Sequence, residues 1–328
     1  MATALPTESD PLPPGSWWTT MNGWRDHANR APAVAPALSR SDFDNLSADQ
    51  RRSYSQARRR PHLRPTIATP AVTQAIARGR KLLVANRQQP AAGRQHLAIC
   101  GPAGTGASRV ALELARSFYT VEFARQPVSN HGDLPNRHPV AYLTAPPEGD
   151  VAALVRRLFT FFYETNWDPT HRSWQELTTP LATLLPRAMT RLVVVDEAER
   201  IAPTAAACAQ ALTDLSVLLP VTFAFVHRTT AAGDTELANP SVLVQPLPRG
   251  PQWHRIVAVL DAQLRLLDHT PGTLTDLEQG LHDLTGGRVG TLCRIIGAAE
   301  TQAVDTSERL TLEQIQDAAT HANVQADL

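Results

Sequence analysis

Three glycines, Gly101, Gly104 and Gly106, lead into Ala107 and Ser108 in the run GPAGTGAS. Glycine reaches backbone angles that other residues avoid, so this spacing lets consecutive N–H groups curl around a phosphate. Ser108 stands where its hydroxyl would ligate Mg2+, and a helix starting there would turn its positive end toward the anion. Far along the chain, Leu192 to Val195 form a continuous apolar run closed by Asp196 and Glu197. That is the pattern of a parallel strand buried on both faces, with acidic groups at its C-terminal edge. Asp196 would hold the hydration shell of Mg2+, and Glu197, the candidate catalytic residue, would orient and polarise an attacking water. Gly101, Pro102, Ala103, Gly104, Thr105, Gly106, Ala107, Ser108 and Arg109 make up the candidate nucleotide-binding segment, with Ser108 and Asp196 the candidate metal ligands and ATP with Mg2+ the expected cofactors. Two plainer readings compete: a glycine-rich strand-to-helix turn, and an acidic pair that caps the next helix.

The loop departs from its pattern at Ala107, where the phosphate-binding lysine belongs. The chain holds one lysine, Lys81, beside 30 arginines, which reads as codon bias; a lysine required by chemistry usually escapes such bias. Ala107 is therefore a natural degeneration or a deliberate inactivating substitution. Arg109 is a poor stand-in, because two residues further along a helix its side chain points about 200° away.

The elements that must position these groups follow from periodicity. Apolar runs place strands near 97–100, 139–144, 191–196, 221–226 and 241–245, and helical spacing places helices near 107–119, 149–164 and 203–218. This alternation predicts an α/β fold, a parallel sheet flanked by helices of the P-loop NTPase kind. From Trp253 onward the pattern is helical only, over 253–267, 274–285, 288–304 and 311–322, which suits a small helical lid. Upstream, Ser47 caps a short basic helix to Arg60, and Thr69-Pro70 opens a second helix to about Asn86. The division expected is a loosely ordered Pro- and Trp-containing arm at 1–45, a basic helical segment at 46–94, a nucleotide-binding domain at 95–250 and the lid at 251–328. The tryptophans Trp17, Trp18 and Trp24 of the arm would dock on a partner or on the protein's own body.

The 328 residues, 43% of them hydrophobic, suffice for a substantial core. No apolar run approaches the roughly 18 residues that span a bilayer, and the N-terminal segment lacks the basic and apolar regions of a leader, so a cytoplasmic location is expected, with no membrane. Cys100, Cys208 and Cys293 sit in apolar contexts and read as core residues. The formal net charge of zero hides an asymmetry: 12 basic residues and no acidic one lie between Arg51 and Leu112. Such a block favours a polyanion, with Arg51, Arg52, Arg58, Arg59 and Arg60 the candidate DNA-binding residues. A solvated basic face, or contact with the more acidic C-terminal half, is the other reading.

The basic helix before Thr69-Pro70, the segment GRKLLVANRQ at 79–88, the loop GPAGTGAS, the strand LVVVDEAER at 192–200 and LTGGRVGTL at 284–292 together resemble the TniB/TnsC-like AAA+ ATPases, regulators of transposition. The resemblance spans roughly Phe43 to Ala319. It implies ATP-dependent assembly on DNA as a homo-oligomeric ring or filament, and contacts with a transposase and a targeting factor. It also implies a polar sensor after strand 221–226, where His227 and Thr229 are candidates, and a lid arginine, for which Arg288 and Arg294 are candidates. An arginine supplied by a neighbouring subunit is expected from among Arg156, Arg157, Arg200 and Arg228. A non-hydrolysing adaptor of the same family and an unrelated P-loop signalling ATPase are the alternatives.

Overall fold

The computed structural model describes residues 17–32, 34–60, 65–90, 93–124, 137–147, 149–162, 173–201, 214–228 and 240–321. Five strands, β1 (Leu97–Gly101), β2 (Val140–Thr144), β3 (Leu192–Asp196), β4 (Thr222–Arg228) and β5 (Ser241–Leu243), form one sheet. Its order is β2-β3-β4-β1-β5 and every pairing is parallel. Parallel strands need crossovers that cover both sheet faces, and the strands accordingly consist almost wholly of buried apolar residues. Register sets the working edge: Gly101 lies opposite Arg228, Cys100 opposite His227, and Thr144 opposite Asp196.

Helices α1 (Met21–Asn29), α2 (Arg40–Asp44), α3 (Ala48–Arg58) and α4 (Pro70–Asn86) precede the sheet, and α5 (Ala107–Ala124), α6 (Val151–Phe162) and α7 (Trp174–Arg187) interleave with it. Thr69 caps α4 with Pro70 at its first turn, and Ser47 caps α3 in a reciprocal box with Gln50. Sequence periodicity gives no helix at 174–187, because Pro180 and Pro186 interrupt it. The helix forms all the same: Ser173 and Glu176 make a capping box, and Leu177, Leu181 and Leu185 bury one face in the sheet core. Of the helix expected at 203–218, only 214–218 falls within the described residues, where it is helical.

The lid contains α8 (Pro251–Gln263), α9 (Thr273–Asp276), α10 (Glu278–Thr285), α11 (Val289–Ala303) and α12 (Leu312–His321) around its own apolar cluster. Among these, Trp253, Leu281, Leu292 and Ile315 are fully buried.

Within the N-terminal chain, the described residues include helices α1 and α2 and an aromatic anchor in the core. Trp24 is 0% exposed and belongs to the sheet core, stacked on Tyr142 with ring centroids 5.6 Å apart and planes 9° from parallel. Residues 1–16 lie outside the described residues. Nor do residues 46–94 form a separate unit: α4 packs on α5, whereas α3 joins the lid.

Arg58 shows why α3 joins the lid. Its side chain is fully buried and forks onto Glu308, at 2.6 and 3.1 Å, with Asp305 at 3.2 Å and the Tyr54 and Phe43 rings alongside. Arg59 donates to the Val304 carbonyl and pairs with Asp305 at 3.1 Å. The expectation that Arg58 meets a phosphate backbone is thus corrected, because its guanidinium is sealed against acidic lid residues. Burial pushes the Glu308 carboxyl up, but the Arg58 hydrogen bond and the Leu267 and Asp305 amides outweigh it and hold the group below the ordinary value. A depressed carboxylate adds stability above its unfolded pKa and loses it as pH falls through the folded one. Glu308→Ala leaves the buried Arg58 charge unpaired and should cost about 3–5 kcal/mol in denaturant unfolding, with an Arg58→Met/Glu308→Leu double variant regaining most of it. A loss below about 1 kcal/mol for Glu308→Ala would contradict this role.

Candidate functional site

The loop between β1 and α5 has the shape its glycines permit. Gly104 and Gly106 take φ of +75° and +97°, the left-handed region that favours glycine. Thr105 closes the turn by donating to the Pro102 carbonyl at 2.7 Å. A side chain at Gly101 would collide with the Val244 carbonyl, so only glycine lets the loop leave the sheet here. Ala107 begins α5 and packs against the sheet core, and Ser108 follows at the exposed mouth of the loop.

The order of the sheet places β4 between the strand of the loop and the strand of Asp196. Ser108 Oγ donates to Asp196 Oδ1 at 3.0 Å, the Glu197 amide donates to the same oxygen at 2.9 Å, and the Tyr142 hydroxyl donates to Oδ2 at 2.8 Å. Burial raises the Asp196 carboxyl above its ordinary value, although the Tyr142 and Ser108 hydrogen bonds oppose the rise. Burial, then the neighbouring Asp196, pushes the Tyr142 phenol well up, so it keeps its proton. Glu197 sits at φ +56° and is paired with Arg200 at 2.8 Å. His227, at the end of β4, is buried, and its Nε2 has no partner among the described residues. Thr229 lies outside the described residues.

A cavity of about 300 Å³ is lined by most of the loop together with Ser108, Asp196, Glu197 and His227. A second cavity of about 720 Å³, lined mainly by apolar groups such as Ile67, Val72, Val110 and Val289, adjoins it; Gly106, Gly290 and Arg294 border both. Arg109 faces the second cavity, with its Nε donating to Thr66 at 2.6 Å, so its charge is directed away from the phosphate loop.

The lid touches the loop directly. Thr291 donates its amide to the Gly104 carbonyl at 2.8 Å, and a Cβ at Gly290 would stand 2.7 Å from that carbonyl oxygen. Arg288 lies beside Gly104, its buried Nε without a partner among the described residues. Arg228 pairs with Glu199 at 2.8 Å, Arg157 donates to the Thr144 carbonyl, and Arg156 stands 4.0 Å from Asp150. Arg51 and Arg52 are solvent-exposed on α3, and Arg60 is half-buried. Tyr142 and Ile67, Val72 and Leu260 of the second cavity lay outside every motif; Gly290 and Thr291 lie inside LTGGRVGTL but contribute backbone contacts that no residue type announces.

Strand order, loop geometry and lid together define the AAA+ P-loop nucleoside triphosphatase fold. Residues 90–232 match the family described as AAA domain. Solved structures agree. The Aeropyrum pernix ORC2 protein in its ADPNP–ADP complexes superposes with a TM-score of 0.56 at 12% identity, over 78% of this chain and 69% of that one. The ORC1 protein of the same organism in complex with DNA gives 0.56 at 16% identity, over 79% and 66%. Cdc6p from Pyrobaculum aerophilum gives 0.52 at 12% identity, over 78% and 68%. Comparison with curated protein sequences gives no match.

Proposed function

We propose that this chain is an ATP-binding regulator of DNA transposition that assembles on DNA and links a target site to a transposase, using the nucleotide as an assembly switch and turning it over slowly at most. One observation carries the nucleotide reading: the glycine loop, the Ser108–Asp196 pair, the orphaned His227 Nε2 and the lid meet around two joined cavities. The smaller cavity fits a phosphate chain and the larger, apolar one a base with its ribose.

Magnesium fits the donors present. Ser108 and Asp196 offer hard oxygen ligands, and among the described residues no group of three His, Cys, Asp or Glu forms a cage. An ion of this kind is usually held by one or two carboxylates together with substrate phosphates, where it neutralises charge on them. In this chain the loop amides would bind the β-phosphate, His227 would donate to the terminal phosphate, and Glu197 would orient water once freed from Arg200. Two features hold turnover down. Ala107 brings no cation to the phosphates, and the Glu197 carboxylate is engaged by Arg200. These favour nucleotide as a structural clamp.

The resemblance in the flanking segments supports the transposition reading, and the DNA complex of the structurally similar ORC1 protein supports contact with DNA. On this chain the exposed Arg51 and Arg52, with Arg59 at their flank, are the residues proposed to track the phosphate backbone. An arginine from an adjoining subunit, one of Arg156, Arg157, Arg200 and Arg228, would complete the site and tie nucleotide to assembly.

Two measurements check this account. Ala107→Lys should raise ATP turnover at least tenfold by restoring charge at the phosphates, and an unchanged rate would overturn the reading of the loop. Binding to duplex DNA should fall steeply with salt, and Arg51→Ala/Arg52→Ala should lower both affinity and salt slope. An isotherm identical to that of the unaltered chain would remove α3 from the DNA face.

A further inference from the structure

We infer that Tyr142 is a positioning residue for the metal site, fixing the Asp196 carboxylate through its hydroxyl while Trp24 fixes Tyr142. The inference rests on the reading of the cleft as a site for nucleotide with magnesium.

Register makes the contact inevitable. Thr144 lies opposite Asp196, and Tyr142 opposite Val194. Side chains two residues apart share a sheet face, so Tyr142 and Asp196 are diagonal neighbours on one face, within reach of a long aromatic side chain. Tyr142 is 1% exposed and has its ring flat against Trp24. Trp24 in turn meets Tyr119 edge-on at 6.5 Å. Tyr119 belongs to α5, the helix that begins at the phosphate loop and carries Ser108. The aromatic stack therefore braces both metal-ligand elements, β3 through Tyr142 and α5 through Tyr119.

The hydrogen bonds divide the carboxylate. Oδ1 accepts from Ser108 and from the Glu197 amide, and Oδ2 accepts from Tyr142. A hydroxyl has one proton and two lone pairs, so Ser108 can keep donating to Asp196 while its oxygen ligates an ion. Tyr142, a donor here, holds the carboxylate plane and leaves lone pairs that an ion or its waters could use. Without lysine at position 107, no side chain of the loop brings a cation to Asp196, and among the described residues neutral donors hold it in place. Outer donors of this kind typically change metal affinity by about 10–100-fold.

The test uses the full chain with the non-hydrolysable analogue ADPNP and Mn2+ followed by electron paramagnetic resonance. Tyr142→Phe removes the hydroxyl and keeps the ring on Trp24. The expected result is a loss of about tenfold or more in Mn2+ affinity in the presence of ADPNP, with metal-free ADP affinity and thermal midpoint near those of the unaltered protein. Unchanged Mn2+ affinity would overturn the inference, as would a parallel loss of metal-free ADP binding, the mark of a merely structural role. If the unaltered chain binds ADP without metal but takes up no Mn2+ with ADPNP, the positioning role falls alone; if it binds neither, the nucleotide reading falls with it.

Discussion

The lid meets the phosphate loop backbone on backbone. The amide of Thr291, in the first turn of the lid helix Val289–Ala303, is bonded to the Gly104 carbonyl, with Gly290 resting on Gly104 and Gly106. A side chain at Gly290 would force the two apart, because it would meet the backbone of Gly104 and Gly106, and one at Gly104 would collide with the Thr291 side chain. The joined cavities exist because the lid stands this near the loop, and Gly106, Gly290 and Arg294 border both of them. A ligand spanning the cavities would touch sheet and lid together, so binding energy would act on their relative position.

The N-terminal chain strengthens this dependence by dividing itself between the bodies. Helix Met21–Asn29 is anchored to the sheet core through Trp24, while Ala48–Arg58 is held to the lid by the buried fork of Arg58 on Glu308. Further ties run from Arg40 to Asp268 and from Arg265 to the Ala35 carbonyl. The linker then returns at Thr66, which accepts from Arg109 on the sheet side and lines the larger cavity. A lid movement that kept the Arg58–Glu308 fork intact would carry the exposed Arg51 and Arg52 with it. That is a physical route from the nucleotide cleft to the surface proposed for DNA.

Much of the fold was legible because buried parallel strands are written as unbroken apolar runs. Leu97–Gly101 and Leu192–Asp196 fall within a residue of the apolar runs that announced them, and Gly104 and Gly106 took positive φ, whereas Gly101 ends the strand and is needed for the close approach of the Val244 carbonyl. What stayed hidden depended on partners distant in sequence. Arg58 reads as one more member of a basic block until Glu308, 250 residues away, is seen to bury it. Tyr142 looks like an ordinary strand aromatic, and only cross-strand register gives its hydroxyl a carboxylate. The helix at Trp174–Arg187 was masked by its prolines, and Trp24 by the polar, proline-containing sequence around it. Local propensity yields to tertiary packing at each of these places.

One nucleotide bridging loop and lid, as proposed, would place its phosphates at Gly101–Ser108 and its base in the apolar cavity. Photolabelling with 8-azido-ATP tests it directly, since the reactive group sits on the base. The account predicts ADP-competed labelling of peptides that contain Thr66–Val72 or Val289–Gln302, the walls of the larger cavity. Labelling confined to other surfaces, or labelling that excess ADP leaves unchanged, would contradict it.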